Sequence, residues 1–420
     1  MKAVLTPSEV SGCVTIPPSK SMAHRAIICA SLSKGTSIID NVDFSKDILA
    51  TMDGMRLLGA DITKEDTRVI IKGVQSFHSQ SNEVFCNESG STLRFFIPIF
   101  SLCHQPLIFT GAGRLMHRPQ KVYEDIFHKQ GLSFVQNEQG IHIKETLKPG
   151  NYTVQGNISS QFISGLLFTL PLLSQDSRIT IIPPFESHSY VDLTLEMLEM
   201  FGVHVSYEDE HTLFIPGNQS YQAHDYRIEG DFSQLAFFAV LAAINHDLDI
   251  KGVRHESRQG DQAIIKILKD FGADIKEIEN GYHVSKSKLT GCDIDLANCP
   301  DLGPILTVLA MYAKGDTVIH NAQRLRIKES DRIQAMEEEL HKFGVAIHST
   351  QDEIFITGKD PDTCSDILFG HNDHRIVMAL SVALLCSKSG GTIEEAQAIN
   401  KSYPSFFEDV KKVHGKVELL

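Results

Sequence analysis

The chain has 420 residues, with 39 Lys and Arg against 53 Asp and Glu and a formal net charge of −14 at pH 7; no basic stretch is long enough to track a nucleic-acid backbone. Its longest purely apolar run, Leu235 to Ile244, falls well short of the ~20 residues that span a bilayer. The opening M-K-A-V-L-T-P-S-E lacks the apolar core of a signal peptide, so a cytoplasmic protein is expected. Eight cysteines (Cys13, Cys29, Cys86, Cys103, Cys292, Cys299, Cys364, Cys386) are scattered without a C-x-x-C pair, which speaks against a zinc site or a disulfide framework and leaves buried thiols.

In chain order the elements repeat. A short strand leads to a polar knot, then to a long apolar helix, then to a helix with a charged face that ends at a glycine and opens into a run of period two. The knots are Ser19, Ser89, Ser159, Asp231, Asp301 and Asp373; the glycines are Gly59, Gly131, Gly202, Gly272, Gly344 and Gly415. The period is about 71 residues, and such a unit is too small to bury a helix on every side alone. Glycine suits the helix end because it enters the left-handed conformation at no steric cost. The helices after the knots, such as Phe162 to Leu172 and Ile376 to Cys386, are apolar nearly all round and read as buried; those before the glycines read as surface-packed.

Three units sharing one core give two domains: 17–228, and 229–420 completed by residues 1–16 as a reclaimed N-terminal strand. The chain then crosses between domains twice. Each buried helix presents unpaired N–H groups and roughly half a positive charge at its N-terminus. If the knots of each domain face one side, the interdomain cleft is electropositive enough for a doubly or triply anionic small molecule despite the acidic total. A plain capping role for the knot residues competes with this reading. What surrounds the knots favours a site: P-P-S-K-S-M-A-H-R (Lys20, Ser21, Arg25), N-E-S-G-S-T-L-R (Gly90, Arg94), S-S-Q-F, and H-N-D-H-R, where Arg375 opposes the helix dipole unless an anion lies nearby. Loops between knots add G-R-L-M-H-R-P, R-I-K-E-S-D-R and N-K-S-Y-P. Arg118 and Asp331 read as members of solvated salt-bridge faces.

Together and in this order, P-S-K-S with its downstream Arg, S-S-Q-F, K-E-S-D-R, N-D-H-R and N-K-S-Y-P resemble the 5-enolpyruvylshikimate-3-phosphate synthase family of enolpyruvyl transferases, from residue 18 to residue 404. The resemblance implies a two-domain inside-out α/β barrel, each domain three βαβαββ units. It also implies transfer of the enolpyruvyl group of phosphoenolpyruvate to the 5-hydroxyl of 3-phosphoshikimate on the route to chorismate and aromatic amino acids. By motif, Lys20, Gly90, Arg114, Gln161, Arg332, Arg375 and Lys401 would hold phosphoenolpyruvate. Ser21, Arg25, Ser159, Ser160, Gln161, Ser187, Tyr190, Asp301 and Lys328 would hold 3-phosphoshikimate, and Arg94 would be structural. Two positions depart from the family pattern: Glu88 stands where Asn is usual, and Arg324 where an Asn often contacts the shikimate phosphate.

That reaction needs a base for the hydroxyl and an acid for C3 of the vinyl group. Asp301 is the candidate base, Glu329 the candidate shuttle for the C3 proton, and Lys20 an alternative donor. No cofactor and no metal is expected; the expected partners are the two small molecules, with no nucleic acid, no membrane and no second subunit. The nearest rival, enolpyruvyl transfer to UDP-N-acetylglucosamine, normally uses a cysteine in the loop matching Gly111 to Pro119, which has none here. A non-catalytic anion-binding protein would not want Asp301 and Glu329 among its cations.

Overall fold

The computed structural model describes residues 1–359, 363–364 and 366–420. They form two compact units, one of residues 1–17 and 229–420, the other of residues 18–228. No helix is long and apolar enough to cross a membrane among the described residues.

In the 18–228 unit the helices are α1 (Lys20–Leu32), α2 (Lys46–Leu57), α3 (Gly90–Ser101), α4 (Lys121–Lys129), α5 (Ser160–Thr169) and α6 (His188–Met200). They pack with three four-stranded sheets. One sheet shows the plan: Glu83–Phe85 runs parallel to Leu107–Thr110 through the α3 crossover, and the hairpin Phe134–Asn137 with Gly140–Ile143 adds antiparallel strands. The other unit holds α7 (Phe232–Ile244), α8 (Ala263–Asp270), α9 (Gly303–Tyr312), α10 (Arg332–His341), α11 (His374–Cys386) and α12 (Phe406–Lys412), with three more such sheets. In its last sheet the N-terminal strand Ala3–Thr6 lies antiparallel between Gly391–Glu394 and Lys416–Leu419. The strands before the first and fourth knots change places. Cys13–Thr15 pairs with Leu248–Lys251, and Tyr226–Arg227 pairs with Thr36–Asp40.

The odd-numbered helices are buried almost all round, as their composition requires. Five of the six knots cap them: Ser19, Ser89, Ser159, Asp231 and Asp373 each accept a backbone N–H of the first turn. The fifth does not. Asp301 lies in a 3-10 turn, Pro300–Leu302, and α9 starts two residues later with Leu302 at the cap position and no side-chain cap bond. Its carboxylate is therefore spent elsewhere.

The even-numbered helices close at the repeated glycines. Gly59, Gly131, Gly202, Gly272 and Gly344 all have positive φ. Four of them, with the residue that follows, complete the paired Schellman bonds, as in Gly59 N to Arg56 O and Ala60 N to Met55 O. The sixth departs from the sequence expectation: His414 takes the left-handed position at φ 66°, and Gly415 is the residue after it. The thiols also need correction, because Cys29, Cys86, Cys103 and Cys299 are buried, whereas Cys292, Cys364 and Cys386 are partly exposed and Cys13 is exposed.

One glycine sets the spacing on which the site in this unit depends. A Cβ on Gly165 of α5 would meet the Tyr123 hydroxyl and the Arg94 carbonyl of α3 at 2.2 and 2.4 Å. That hydroxyl donates to the carbonyls of Arg94 and Phe162 at 2.6 and 3.1 Å. Gly165→Ala is therefore expected to push α3 from α5 and destabilise the protein by about 1–3 kcal/mol, as overpacking does; a shift in urea midpoint at constant m-value checks it.

Candidate active site

The 18–228 unit gathers a first set of polar groups at its helix N-termini. Ser91 Oγ accepts from Gln161 Nε2 at 2.8 Å, and Arg94 Nη1 donates to Gln161 Oε1 at 2.7 Å, so the starts of α3 and α5 lie together. Lys20 Nζ pairs with Asp47 at 2.9 Å at the start of α2, and Thr92 Oγ1 reaches the Asp47 carbonyl at 3.5 Å, which adds α1. Arg25 is buried and donates to Thr194 Oγ1, to the Ser21 carbonyl and to the Tyr190 carbonyl, each at 2.8 Å. Burial brings its pKa down to about 10, still a full cation at neutral pH. Ser187, buried at the cap position of α6, holds φ 53°. A non-glycine residue in that region is of the kind that clusters at ligand sites. Ser159, Ser160, Gln161 and Tyr190 share this neighbourhood, Ser160 being buried and the other three partly exposed.

Gly90 opens α3, and a Cβ there would lie 2.6 Å from Arg118 Nη1. Only glycine lets that guanidinium approach the helix start. Arg118 is buried, not part of a solvated face, whereas Arg114 is exposed. Burial thus corrects the expectation that Arg118 belongs to a solvated salt-bridge face. The one signal available in the sequence was the proline after Arg118, which fixes the chain direction there. Asp331, the other residue read as a surface partner, caps α10 at 3.0 Å and pairs with Arg326 at 3.1 Å.

The second set belongs to the other unit and is centred on Asp301. Its carboxylate meets Arg375 Nη2 at 2.9 Å, Lys328 Nζ at 3.1 Å and Arg332 Nη1 at 3.2 Å. Arg375 Nη2 also donates to Ser233 Oγ at 3.1 Å, so the starts of α7 and α11 and the turn before α9 converge on one point. Arg332, with a side chain 1% exposed, further binds Glu329 at 2.7 Å and Asp373 at 2.8 Å. Lys401 Nζ donates to the Asn372 carbonyl at 2.6 Å. Burial alone would raise the Asp301 pKa, but Arg375, Lys328 and Arg332 hold its carboxyl well below the usual carboxylate range. Burial lowers the Lys328 pKa, and Asp301 opposes that shift. Four cations face three carboxylates, and helix dipoles add to the excess; an anion of two or more charges fits there. Ser233 was not singled out from sequence; a serine beside a capping aspartate reads only as helix start.

Arg324, one of the two departures, is buried and donates to the Ala297 carbonyl at 2.6 Å. Glu88 lies against Gly113, within 2.6 Å of where a Cβ would stand.

Two structural comparisons place the architecture. The enolpyruvyl transferase NikO from Streptomyces tendae shares the fold with a TM-score of 0.80 over 99% of this chain and 98% of that one, at 14% identity. EPSP synthase from Acinetobacter baumannii matches with a TM-score of 0.81 and 27% identity, all of both chains being covered. In sequence, the family model described as EPSP synthase (3-phosphoshikimate 1-carboxyvinyltransferase) matches residues 4–410. Relatives named 3-phosphoshikimate 1-carboxyvinyltransferase are 46% identical in Clostridium perfringens strain 13, covering 99% of this chain and 98% of the relative, and 45% identical in Clostridium kluyveri, covering 99% and 97%. The fold is that of the enolpyruvyl transferases. Within that class, the chain belongs to the EPSP synthase family.

Proposed function

We propose that the chain catalyses the reaction named for its family, in the shikimate pathway: the 1-carboxyvinyl group of phosphoenolpyruvate passes to the 5-hydroxyl of 3-phosphoshikimate, and phosphate leaves. The observation that carries the catalytic assignment is Asp301, a carboxylate that caps no helix and lies within 3.2 Å of three cations. Arg332, Arg375 and Lys401 hold phosphoenolpyruvate. Lys20, Arg114, Gln161 and the Gly90 backbone complete that set. Ser21, Arg25, Ser159, Ser160, Ser187, Tyr190 and Lys328 hold 3-phosphoshikimate. A monomer acting in the cytoplasm without cofactor or metal is part of the same proposal.

The chemistry follows from charge. Asp301 is ionised in the ligand-free protein but a weak base, because its three cations favour the deprotonated form. Phosphoenolpyruvate competes for Arg332 and Arg375, and 3-phosphoshikimate for Lys328, so the Asp301 carboxylate gains proton affinity as the substrates bind. It then takes the proton of the 5-hydroxyl while the oxygen attacks C2. Glu329, or Lys20, supplies a proton to C3. The tetrahedral adduct has a methyl group and a phosphate on one carbon; loss of a methyl proton to the same shuttle restores the double bond as phosphate leaves with its electron pair. Arg332 and Arg375 stabilise the phosphate through both steps.

Phosphate release from phosphoenolpyruvate, measured with 3-phosphoshikimate and separately with UDP-N-acetylglucosamine, tests the assignment: release is expected with the first acceptor only. Arg114→Ala is expected to raise the KM for phosphoenolpyruvate by about ten-fold or more with little change in Tm, and Arg118→Ala, whose guanidinium is buried at the α3 start, to lower Tm. An unchanged KM in Arg114→Ala would take that residue out of the site.

A further inference from the structure

His371 and Asn372 occupy the left-handed region one after the other, with φ of 49° and 48°. Asn and His enter this region more readily than most residues, but as single residues; two in succession are unfavourable, and such a turn persists only where its surroundings over-determine it. Three side chains do so. Glu339 of α10, whose side chain is 2% exposed, accepts from His371 Nε2 at 3.1 Å and from the Phe369 amide at 3.0 Å. Glu395 accepts from the Asn372 amide at 2.7 Å, and the Asn372 carbonyl receives Lys401 Nζ at 2.6 Å. The turn leads directly into Asp373 and Arg375.

Glu339 follows Arg332 by seven residues, two turns of the same helix, so both project from one face. Helix α10 therefore grips the turn twice: Arg332 holds Asp373 at one end, at 2.8 Å, and Glu339 holds His371 and Phe369 at the other. Neither Glu339 nor His371 belongs to the anion site, yet the backbone they fix points the Asn372 carbonyl at Lys401 and sets the start of the helix that carries Arg375.

We propose that Glu339 and His371 are positioning residues, which hold the 369–373 turn in its left-handed form and so fix the mutual placement of Arg332, Arg375 and Lys401 around phosphoenolpyruvate. The proposal rests on the functional reading above. The grip also has a charge dependence. His371 faces Glu339 and Glu338 on α10 and Glu395 beyond the turn, while the nearby cation, Lys342, is bonded to the Glu339 carboxylate at 2.8 Å. The bond to Glu339 raises the His371 pKa above its ordinary value. The ionic form of the contact is thus complete at low pH and weakens as pH rises through that raised pKa, so substrate affinity should fall on the alkaline side.

The test compares wild type with Glu339→Gln, His371→Ala and His371→Gln by steady-state kinetics between about pH 6 and 9, together with Tm and calorimetric binding of phosphoenolpyruvate in the presence of 3-phosphoshikimate. Glu339→Gln and His371→Ala are expected to raise the KM for phosphoenolpyruvate about ten-fold, as a misplaced binding group does, with kcat and the KM for 3-phosphoshikimate within about two-fold. His371→Gln keeps an N–H donor but cannot ionise. It should recover most of the affinity, and the ratio of its KM to that of wild type should fall as pH rises, a comparison in which the substrate's own ionisation cancels. An unchanged KM in His371→Ala, or a ratio independent of pH, overturns the proposal. If Glu339→Gln fails to fold, the two His371 variants decide. Failure of wild type to bind phosphoenolpyruvate at all would instead remove the functional reading.

Discussion

Asp301→Asn should yield a folded protein that binds 3-phosphoshikimate within a few-fold of wild type and turns over roughly 10²–10⁴ times more slowly, the usual worth of a positioned base. Asn keeps the size and can accept a hydrogen bond, but it cannot take a proton at neutral pH. The structure sharpens this expectation, because Asp301 caps no helix and the substitution removes no cap bond. It does remove a carboxylate from among Lys328, Arg332 and Arg375, so the cationic excess rises and phosphoenolpyruvate should bind as well as before or better. Calorimetric binding and phosphate release on one purified variant separate base from binder. The acid limb of stability gives a second readout. A depressed native pKa contributes stability that is present above the unfolded carboxylate value of about 3.9 and is lost as pH falls through the native one. The Asn variant lacks that contribution and should lose less stability on acidification. Full turnover in Asp301→Asn would move the base elsewhere, with Glu329 next.

Arg332→Ala should do more damage than any other single change at the site. Its guanidinium is buried and joins Asp301, Glu329 and Asp373, so removal leaves carboxylates without their main partner, Asp373 being fully buried. Breaking a buried pair in this way costs about 3–5 kcal/mol, and the anion site loses its central cation as well. The expected result is a markedly lower Tm together with loss of measurable affinity for phosphoenolpyruvate. Arg332→Ala, Asp373→Asn tests the cause: the double variant should regain part of the stability, since the stranded charge is gone, but none of the affinity. Arg375→Ala is the milder counterpart. Asp301 retains Lys328 and Arg332, so KM for phosphoenolpyruvate should rise about ten-fold or more while Tm changes little. A large loss of Tm there would make Arg375 chiefly structural.

Much of the architecture was legible because it is written in short-range chemistry. A polar residue before an apolar helix and a glycine after an amphipathic one are local requirements of helix ends, and six copies at a steady spacing reveal the repeat. The motif strings likewise singled out Lys20, Arg25, Gln161, Asp301, Arg332, Arg375 and Lys401, through their order along the chain and, for Arg375, through a cation at a helix start that needs an anion. What the local pattern could not reveal is where a long-range contact overrides it. Asp301 has the same place in the repeat as five capping residues, and only its three distant cations take it from that role. His414 takes the left-handed position that the repeat assigns to Gly415. Arg114 and Arg118 are four residues apart in one loop and equally basic, yet Arg118 is buried against Gly90, a residue 28 positions earlier, and Arg114 is exposed. Helix caps and periodicity are properties of neighbours in the chain and so belong to the sequence. Which of two like charges is desolvated, and which carboxylate is left to meet three cations, depends on groups brought together from separate repeats, and only the tertiary structure settles it.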